Sequence, residues 1–235
     1  MRRYLTTAMV IGGVMAAGPW VAAQDYPHAF PRTGTTQLVD NARVTMWEVN
    51  WIHGVKQPIH RHRYDMAGVY LRFGEITVTT PDGKATTGQR FEVPRPYFQL
   101  KDITHREEAM GKPGDPERLA IMVDLKDVAV PAFHVAAGSP GGQFPREGAA
   151  DVLDNARVRM WDYTWLPGRP TAMHTHDTDT IEVFMTGGTI RTKTAAGVEE
   201  THQVVFKTAR FVPRGRVDAE EAISGSPRAI VIELK

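Results

Sequence analysis

Residues 54–62 read GVKQPIHRH, and residues 168–176 read GRPTAMHTH. Each stretch holds a glycine, five further residues and a His-x-His pair, and each is followed after eleven residues by a second glycine, Gly74 or Gly188. Two histidines at positions i and i+2 of a β-strand point to the same side of the sheet, so their imidazoles can reach one metal ion. The pattern therefore predicts a strand-borne metal site that occurs twice in the chain.

The similarity between the two parts of the chain extends well beyond the histidines. Residues 40–47 read DNARVTMW and residues 154–161 read DNARVRMW, an offset of 114 residues. The correspondence continues to AIMVDLK at 120–126 and AIVIELK at 229–235. Matching of this extent indicates a structural unit that occurs twice.

The repeated units set the predicted domain boundaries. We predict a first domain over residues 38–126 and a second over residues 152–235. Residues 24–37 are predicted to form an N-terminal extension. Residues 127–151, which are rich in Pro, Gly and Ala, are predicted to form a linker.

The segments within both units are short and rich in β-branched and aromatic residues, which favours strands. The chain of 235 residues has 16 prolines and 21 glycines, and these favour many turns over long helices. Beyond the N-terminal segment, no stretch sustains a helical period of apolar residues. The sequence therefore predicts an all-β protein built from two small antiparallel barrels or sandwiches.

The composition excludes several classes of site and partner. The chain has no cysteine, which excludes disulfides, thiolate zinc sites and iron–sulfur clusters. Any metal must therefore be held by histidine, carboxylate or carbonyl groups. A formal net charge of +1 argues against broad electrostatic binding to nucleic acid or to an anionic membrane.

The first 23 residues have the pattern of a secretory signal peptide. Arg2 and Arg3 precede an uncharged run over residues 4–24, and small residues lie just before and at Ala23. A transmembrane anchor is disfavoured, because Thr, Gly and Pro interrupt the apolar run. We predict cleavage after Ala23 and a periplasmic or secreted mature protein without stable membrane association.

A third donor for each site can come from another strand. His105 and Asp218 are each followed, after one residue, by Glu-Glu-Ala, which places them at equivalent positions of the two units. Further upstream, RFEVP at 90–94 resembles RFVP at 210–213. This alignment leaves several extra residues before His105 in the first unit.

With these motifs the chain resembles the cupin superfamily, in its duplicated bicupin form, over residues 38–126 and 152–235. The family's first motif is Gly, five residues, His-x-His, three or four residues, Glu, six residues and Gly. Its second motif is Pro-x-Gly, two residues and His. The resemblance implies a jelly-roll β-barrel with a metal in its mouth, bound by three histidines and a glutamate.

The chain departs from this pattern at the glutamate. Ala67 and Ile181 occupy its position, and Glu182, one step further along, is expected to face the other side of its strand. Residues 213–218, PRGRVD, fit the second motif with aspartate in place of histidine. Residues 94–96, PRP, lack the glycine of that motif.

These observations predict two different metal sites. The candidate ligands are His60, His62 and His105 in the first unit, and His174, His176 and Asp218 in the second. The first set suits Zn, Fe(II), Cu or Ni, and the second matches the two-histidine, one-carboxylate set of non-heme iron enzymes. The predicted cofactor is a divalent metal ion (Fe, Mn, Zn, Cu or Ni). Many bicupins keep one working site and some cupins bind no metal, so the occupancy of each site stays open.

Asp65 and Asp179 each lie three residues after a His-x-His pair. One role open to them is to bind the metal or to support its ligands. The other is to cap a turn or to pair with a neighbouring arginine.

The sequence also suggests roles for the remaining histidines, for the tryptophans and for residues near the first barrel's mouth. The remaining histidines that we expect not to bind metal are His28, His53, His134 and His202. The tryptophans expected to pack in a core or interface, with a ligand-stacking wall as the alternative, are Trp47, Trp51, Trp161 and Trp165. The candidates for lining the mouth of the first barrel are Tyr64, Tyr70, Arg72 and Gln99.

The resemblance implies that the ligands are small organic molecules such as carboxylic acids, sugars or phenolics. We predict an exported, metal-dependent enzyme with dioxygenase-like chemistry, for which isomerase, decarboxylase and hydrolase reactions are alternatives on the same scaffold. A non-catalytic bicupin that binds a small ligand or a metal is the competing hypothesis. The oligomeric state is predicted as monomer or homodimer.

Overall fold

The computed structural model of the chain describes residues 25–235, so the predicted signal peptide lies outside the described residues. The described residues form strands, turns and irregular segments without any α-helix, and the predicted all-β class is confirmed. Residues 25–235 contain no helix with the length and hydrophobicity needed to cross a membrane.

The first nine strands pair only with one another and are called the first unit. They are β1 Thr35–Asp40, β2 Val44–Trp51, β3 His60–Arg61, β4 Asp65–Arg72, β5 Ile76–Thr79, β6 Ala85–Thr87, β7 Arg95–Gln99, β8 Thr104–Ala109 and β9 Arg118–Leu125. One antiparallel sheet has the order β1-β2-β9-β4-β7, and a second has the order β3-β8-β5-β6. The two layers form a jelly-roll sandwich with the His-x-His strand β3 at the edge of the smaller sheet.

The last seven strands also pair among themselves and are called the second unit. They are β10 Ala150–Asp154, β11 Val158–Thr164, β12 His174–Thr175, β13 Asp179–Thr194, β14 Glu199–Val204, β15 Ala209–Val212 and β16 Val217–Leu234. The sheet path is β10-β11-β16-β13-β14, with β12 paired to β16 and β15 paired to β13. The long strands β13 and β16 contribute to both layers of this unit.

Irregular pairing bends these long strands where they pass from one layer to the other. The register shifts between Phe184 and Gly188 on β13. A Cβ atom at Gly188 would lie 2.4 Å from the carbonyl oxygen of Ser224, so only glycine fits at this crossing. In the first unit the same path is split into β4 and β5, with Gly74 between them.

Two kinds of core hold the molecule together. Each unit has its own interior cluster, and the four tryptophans lie in these clusters as predicted: Trp47 and Trp51 in the first unit, Trp161 and Trp165 in the second. A third cluster joins apolar side chains from the larger sheets of both units, such as Met46, Ile121, Met160 and Ile232. This shared core packs the two units back to back.

Two ion pairs cross the boundary between the units at equivalent places. Arg43 Nη1 donates to Asp179 Oδ2 at 3.0 Å, and Arg157 Nη1 lies 3.2 Å from Asp65 Oδ2. The second oxygen of each aspartate accepts a backbone N–H, from Arg214 and from Lys101, both at 2.9 Å. A role of Asp65 and Asp179 as metal ligands is therefore wrong, because both oxygens are used for pairing with arginine and for capping a turn.

We expect the replacement Asp179→Ala to lower the free energy of unfolding by about 2–3 kcal/mol, because it leaves the half-buried Arg43 without its partner. Urea unfolding of the whole mature chain measures this loss, and a double-mutant cycle with Arg43→Ala isolates the pair. The exposed pair Lys193–Glu199 provides the control, and Glu199→Ala should change stability by less than about 0.5 kcal/mol. An equal loss in both variants would contradict the role of Asp179 between the units.

Candidate metal centres

Strand register brings the predicted histidines of the first unit together. His60 on β3 is the direct register partner of His105 on β8, and His62 follows His60 by two residues. Glu107 lies two residues after His105, on the same face of β8. All four side chains are buried, and one donor atom from each lies within 4.8 Å of the others. We call these four residues the first cluster.

The donor atoms of the first cluster have the spacing of ligands around one ion. His62 Nε2 and His105 Nε2 lie 3.3 Å apart, and Glu107 lies 3.4 Å from His60 Nε2 and 3.3 Å from His105 Nε2. Ligands about 2.0–2.1 Å from a four-coordinate metal lie roughly 3.3–3.4 Å from one another. The donor set and its spacing therefore fit a divalent metal ion.

Hydrogen bonding and burial prepare the imidazoles of the first cluster as ligands. His60 Nδ1 lies 3.0 Å from the Pro58 carbonyl, and because only an N–H can donate there, the lone pair is left on Nε2. This Nε2 is buried without a hydrogen-bond partner. Burial lowers the pKa of His60 to about 4 and that of His62 to about 3. Both rings are therefore neutral near pH 7, as metal ligation requires.

Glu107 is a donor that the sequence analysis did not assign to the site. Burial by itself would raise its pKa, but the charge of Arg32 and the hydrogen bond from His105 outweigh burial and hold the pKa well below the ordinary value. Arg32 pairs directly with Glu107 and comes from the segment before β1. The shared Glu-Glu-Ala sequence was the signal that could have identified this residue.

The second unit assembles a smaller donor set, called the second cluster. His174 is the register partner of Asp218, and Asp218 Oδ1 lies 3.5 Å from His174 Nε2 and 3.2 Å from His176 Nε2. His174 Nδ1 lies 3.0 Å from the Ala172 carbonyl, as His60 Nδ1 does from Pro58. The three predicted residues are buried and lie together, and their donors fit a metal with open positions.

Arginines pair with Asp218 and Glu220, the two carboxylates nearest the histidines of the second unit. Arg216 binds the outer oxygen of Asp218, and the charge of this arginine helps the hydrogen bond from His176 to lower the Asp218 pKa against the effect of burial. Glu220, the counterpart of Glu107, accepts hydrogen bonds from Arg146 at 2.9 Å and from Trp165 Nε1 at 3.0 Å. Glu220 is therefore not among the three clustered donors.

Glu182 lies inside the second unit, so the prediction that it faces away was wrong. It is fully buried and lines an interior cavity together with His176 and Asp218. Its neighbour Ile181 packs in the shared core instead. Alternation along β13 therefore points Ile181, at the family's glutamate position, toward the shared core between the units, and it points Glu182 into the interior of the second unit. Burial raises the pKa of Glu182 despite the ion pair with Arg210, whose Nε lies 2.8 Å away.

Strand pairing also corrects the sequence alignment upstream of His105. Phe98 on β7 is the register partner of Ala67, as Phe211 on β15 is of Ile181. Residues 96–99 therefore correspond to residues 209–212, and the resemblance of 90–94 to 210–213 is not the structural one. This register leaves one extra residue in the first unit, which lies before β7, and His105 and Asp218 each follow the paired phenylalanine by seven residues.

The turn before the third donor is the same in both units. The backbone N–H groups of Asp102 and Gly215 donate to the carbonyls of His62 and His176, each at 2.7 Å. Asp102 has φ of 73° and Gly215 has φ of 89°. Aspartate tolerates the left-handed region better than most residues, so it replaces the glycine that is missing from residues 94–96.

The other histidines of the described chain lie outside both clusters, in line with the expectation that they do not bind metal. His28 Nε2 lies 3.1 Å from Asp124 Oδ2 and packs edge-on against Tyr64. His202 lies on the strand beside Thr192, and burial is the main cause that lowers its pKa.

Comparison with known proteins finds similarity at the level of structure alone. No protein-family model matches the chain, and no curated protein matches it by sequence. A cupin 2 conserved barrel domain protein from Leptotrichia buccalis superposes with a TM-score of 0.50 and 11% identity, over 86% of this chain and 88% of that chain. AerE from Microcystis aeruginosa gives a TM-score of 0.55 and 10% identity, over 90% and 99% of the two chains.

Oxalate decarboxylase from Bacillus subtilis, described for its Mn(II) centres, is a third similar structure. It gives a TM-score of 0.53 and 12% identity, over 82% of this chain and 68% of that chain. Identities this low show the fold and leave the chemistry to the residues of this chain. The described part of the chain has the cupin jelly-roll fold.

Proposed function

We propose that the chain is an exported bicupin that binds a divalent metal at the first cluster and acts as a metal-dependent enzyme on a small organic molecule. The observation that carries this proposal is the first cluster itself. Four buried donors, three imidazoles and one carboxylate, lie at ligand-to-ligand distances from one another. The N-terminal signal-like segment supports export.

The donor set narrows the choice of metal. Three neutral imidazoles and one carboxylate suit Mn, Fe, Zn, Ni and Cu, and the absence of thiolate removes the ligand that would favour soft metals. The similar fold of an oxalate decarboxylase described with Mn(II) centres supports Mn as a candidate to test first, together with Fe.

Dioxygenase-like chemistry is the reaction class that we propose. When bound, the metal would polarise a substrate oxygen or activate dioxygen at its open positions. Glu107 would supply the negative donor, and Arg32 would hold this carboxylate ionised and fixed in place. The sequence argument for an iron triad without glutamate now applies to the second cluster alone, because Glu107 adds a carboxylate to the first.

A non-catalytic binding role is the second candidate, and the second cluster favours it for the second unit. Asp218 and Glu220 are already neutralised there by Arg216 and Arg146. The second cluster also has one donor fewer than the first, because Glu220 is not among its clustered residues, so it should hold a cation less firmly. On this view the second unit serves mainly as a packing partner through the shared core.

Metal analysis of the mature protein, loaded with Mn, Fe, Zn or Cu, tests the proposal. We expect about one ion per chain, lost on replacing His60 and His62 with Ala and retained when His174 and His176 are replaced. Fewer than about 0.2 ions per chain would remove the metalloenzyme hypothesis. Oxygen uptake with a panel of acids, catechols and sugars then separates the two candidates, because a loaded protein without turnover is a binding protein.

A further inference from the structure

The first unit contains a small, partly open cavity beside the first cluster. Its volume is about 110 Å³, and His62, His105 and Glu107 form part of its wall. Among the candidates for the mouth, Tyr70 and Gln99 line this cavity, whereas Arg72 is exposed and bonds to Asn50. The cavity therefore offers a ligand direct access to the metal-binding donors.

Three hydrogen-bond donors in the wall of this cavity lack an acceptor. Trp51 Nε1, Gln99 Nε2 and Arg118 Nη2 are all buried and have no hydrogen-bond partner in the described chain. A buried donor without a partner costs roughly 1–3 kcal/mol, and such groups are rare in folded proteins. Three of them in one cavity call for a ligand that brings acceptors.

Arg118 is a buried cation, so the missing acceptor in this cavity is expected to carry a negative charge. Its side chain is 5% exposed, and its guanidinium packs over the rings of Tyr70 and Phe91 at 5.3 and 5.1 Å. Its Nε donates to the Gly74 carbonyl at 2.8 Å, but no carboxylate of the described chain lies within ion-pairing distance. The one acid in the cavity wall, Glu107, is paired with Arg32. Buried charges are normally paired, so Arg118 calls for an anion.

The amide oxygen of Gln99 is held by a hydrogen bond, and its amide nitrogen has no acceptor within the described residues. The Tyr97 hydroxyl donates to Gln99 Oε1 at 2.6 Å, which leaves the amide nitrogen as the remaining group of this side chain. The Tyr70 hydroxyl oxygen accepts a hydrogen bond from Arg118, and burial raises the pKa of Tyr70 to about 12, so the hydroxyl keeps its proton to donate as well. The polar wall opposite the first cluster is thus made of donors.

At the positions equivalent to Trp51 and Arg118, the second unit has no hydrogen-bond donor left without a partner. Trp165, the counterpart of Trp51, donates its Nε1 to Glu220 at 3.0 Å. Pro227 stands where the first unit has Arg118, since Trp165 N–H bonds to the Pro227 carbonyl at the end of the equivalent strand pair. The interior arginines of the second unit, Arg146 and Arg210, are paired with Glu220 and Glu182. The uncompensated positive charge is therefore specific to the first unit.

We propose that the cavity of the first unit binds a short-chain carboxylate, whose oxygens accept hydrogen bonds from Arg118, Gln99 and Trp51. The cavity volume of about 110 Å³ is smaller than the roughly 150 Å³ of a cavity that holds benzene, so the part of the ligand inside it is limited to roughly two to four carbon atoms. Met66, Ile76 and Val78 in the wall suit a short apolar body. The proposal deepens the proposed function by naming its substrate class, but the anion-binding groups do not include the metal donors.

Binding of propionate and of the neutral isostere propionamide to the metal-free mature protein tests this proposal. Calorimetry after dialysis against a chelator should give a dissociation constant at least about tenfold lower for propionate, because propionamide presents no negative charge to Arg118. Arg118→Gln should abolish this preference. Arg95→Gln is the matched control, since Arg95 also packs on Phe91 but is exposed and does not line the cavity.

A second variant keeps the test valid if Arg118→Gln folds poorly. Trp51→Phe removes one donor and keeps an aromatic ring, and it should weaken propionate binding by about threefold to tenfold. Equal affinity for propionate and propionamide in the unaltered protein would overturn the proposal, as would undiminished propionate binding in both variants. Propionate binding by a protein that takes up no metal would support the carboxylate site and count against the proposed enzyme. Metal uptake without any preference for propionate would support the metal site and overturn the carboxylate site.

Discussion

Replacing Glu107 with glutamine is expected to lower the affinity of the first cluster for Mn or Fe by at least about 100-fold. Glu107 is the negative donor of the cluster, and it lies 3.3–3.4 Å from two imidazole nitrogens. Glutamine keeps the size of the side chain but removes its charge. It would also leave the buried guanidinium of Arg32 without a counter-charge beside an incoming cation.

Glu220→Gln provides the matched control for this result. Glu220 occupies the equivalent position but is engaged by Arg146 and Trp165, so its replacement should change metal content by less than about twofold. Titration of both chelator-treated variants with Mn, followed by metal analysis, gives the comparison. Equal metal affinity in unaltered protein and Glu107→Gln would show that the three histidines act without the carboxylate.

The positions of the histidines could be predicted from the sequence because they depend on local geometry. The i and i+2 spacing places His60 and His62 on one side, and the flanking glycines mark the turns around them. The assignment of His105 as a third donor from another strand also followed, since the Glu-Glu-Ala sequence aligned His105 with Asp218. These inferences needed strand alternation and one internal comparison.

The direction in which the Glu182 side chain points could not be predicted, because it depends on which side of β13 is covered by the other unit. The larger sheet of each unit has two buried faces, one in its own interior and one in the shared core. A strand that is buried on both sides carries no polar-apolar alternation, so Ile181 and Glu182 gave no signal of direction. Only the packing of the two units shows that Glu182 is inside.

The supporting arginines were missed because they lie outside the assigned units. Phe30-Pro31-Arg32 recurs as Phe144-Pro145-Arg146, at the same offset of 114 residues as the rest of the repeat. These segments precede β1 and β10, and they bring Arg32 to Glu107 and Arg146 to Glu220. The recurrence of this tripeptide was the available signal, and it fell within residues predicted as extension and linker.

The two units thus share one framework and differ in how their charges are compensated. In the first, Glu107 has an arginine partner and Arg118 has no acid, so the cavity carries an excess of positive charge. In the second, Arg210 pairs with Glu182 and Arg216 with Asp218. An excess positive charge needs an external anion, and a compensated interior does not. This difference adds to the four-donor first cluster as a reason to assign the working centre to the first unit.

Metal-free protein is expected to lose stability as the pH falls below about 6.5, because His60 and His62 are buried in the neutral form. Burial lowers the folded-state pKa of His60 to about 4 and of His62 to about 3, whereas an unfolded histidine titrates near 6.5. Between these values the unfolded chain takes up protons that the folded chain does not. Stability is therefore fully present above about pH 6.5 and declines as the pH falls toward the folded values.

The expected loss between pH 7 and pH 4.5 is on the order of 4 kcal/mol for the two histidines together. Glu107 does not change this window, because its lowered pKa gives a contribution that is constant above the unfolded glutamate value and declines only at lower pH. Urea unfolding at pH intervals on chelator-treated protein measures the slope. The double variant His60→Asn, His62→Asn should flatten it by more than half, whereas His134→Asn, at an exposed linker position, should leave it unchanged. A slope that survives the double variant would place the acid-sensitive groups outside the first cluster.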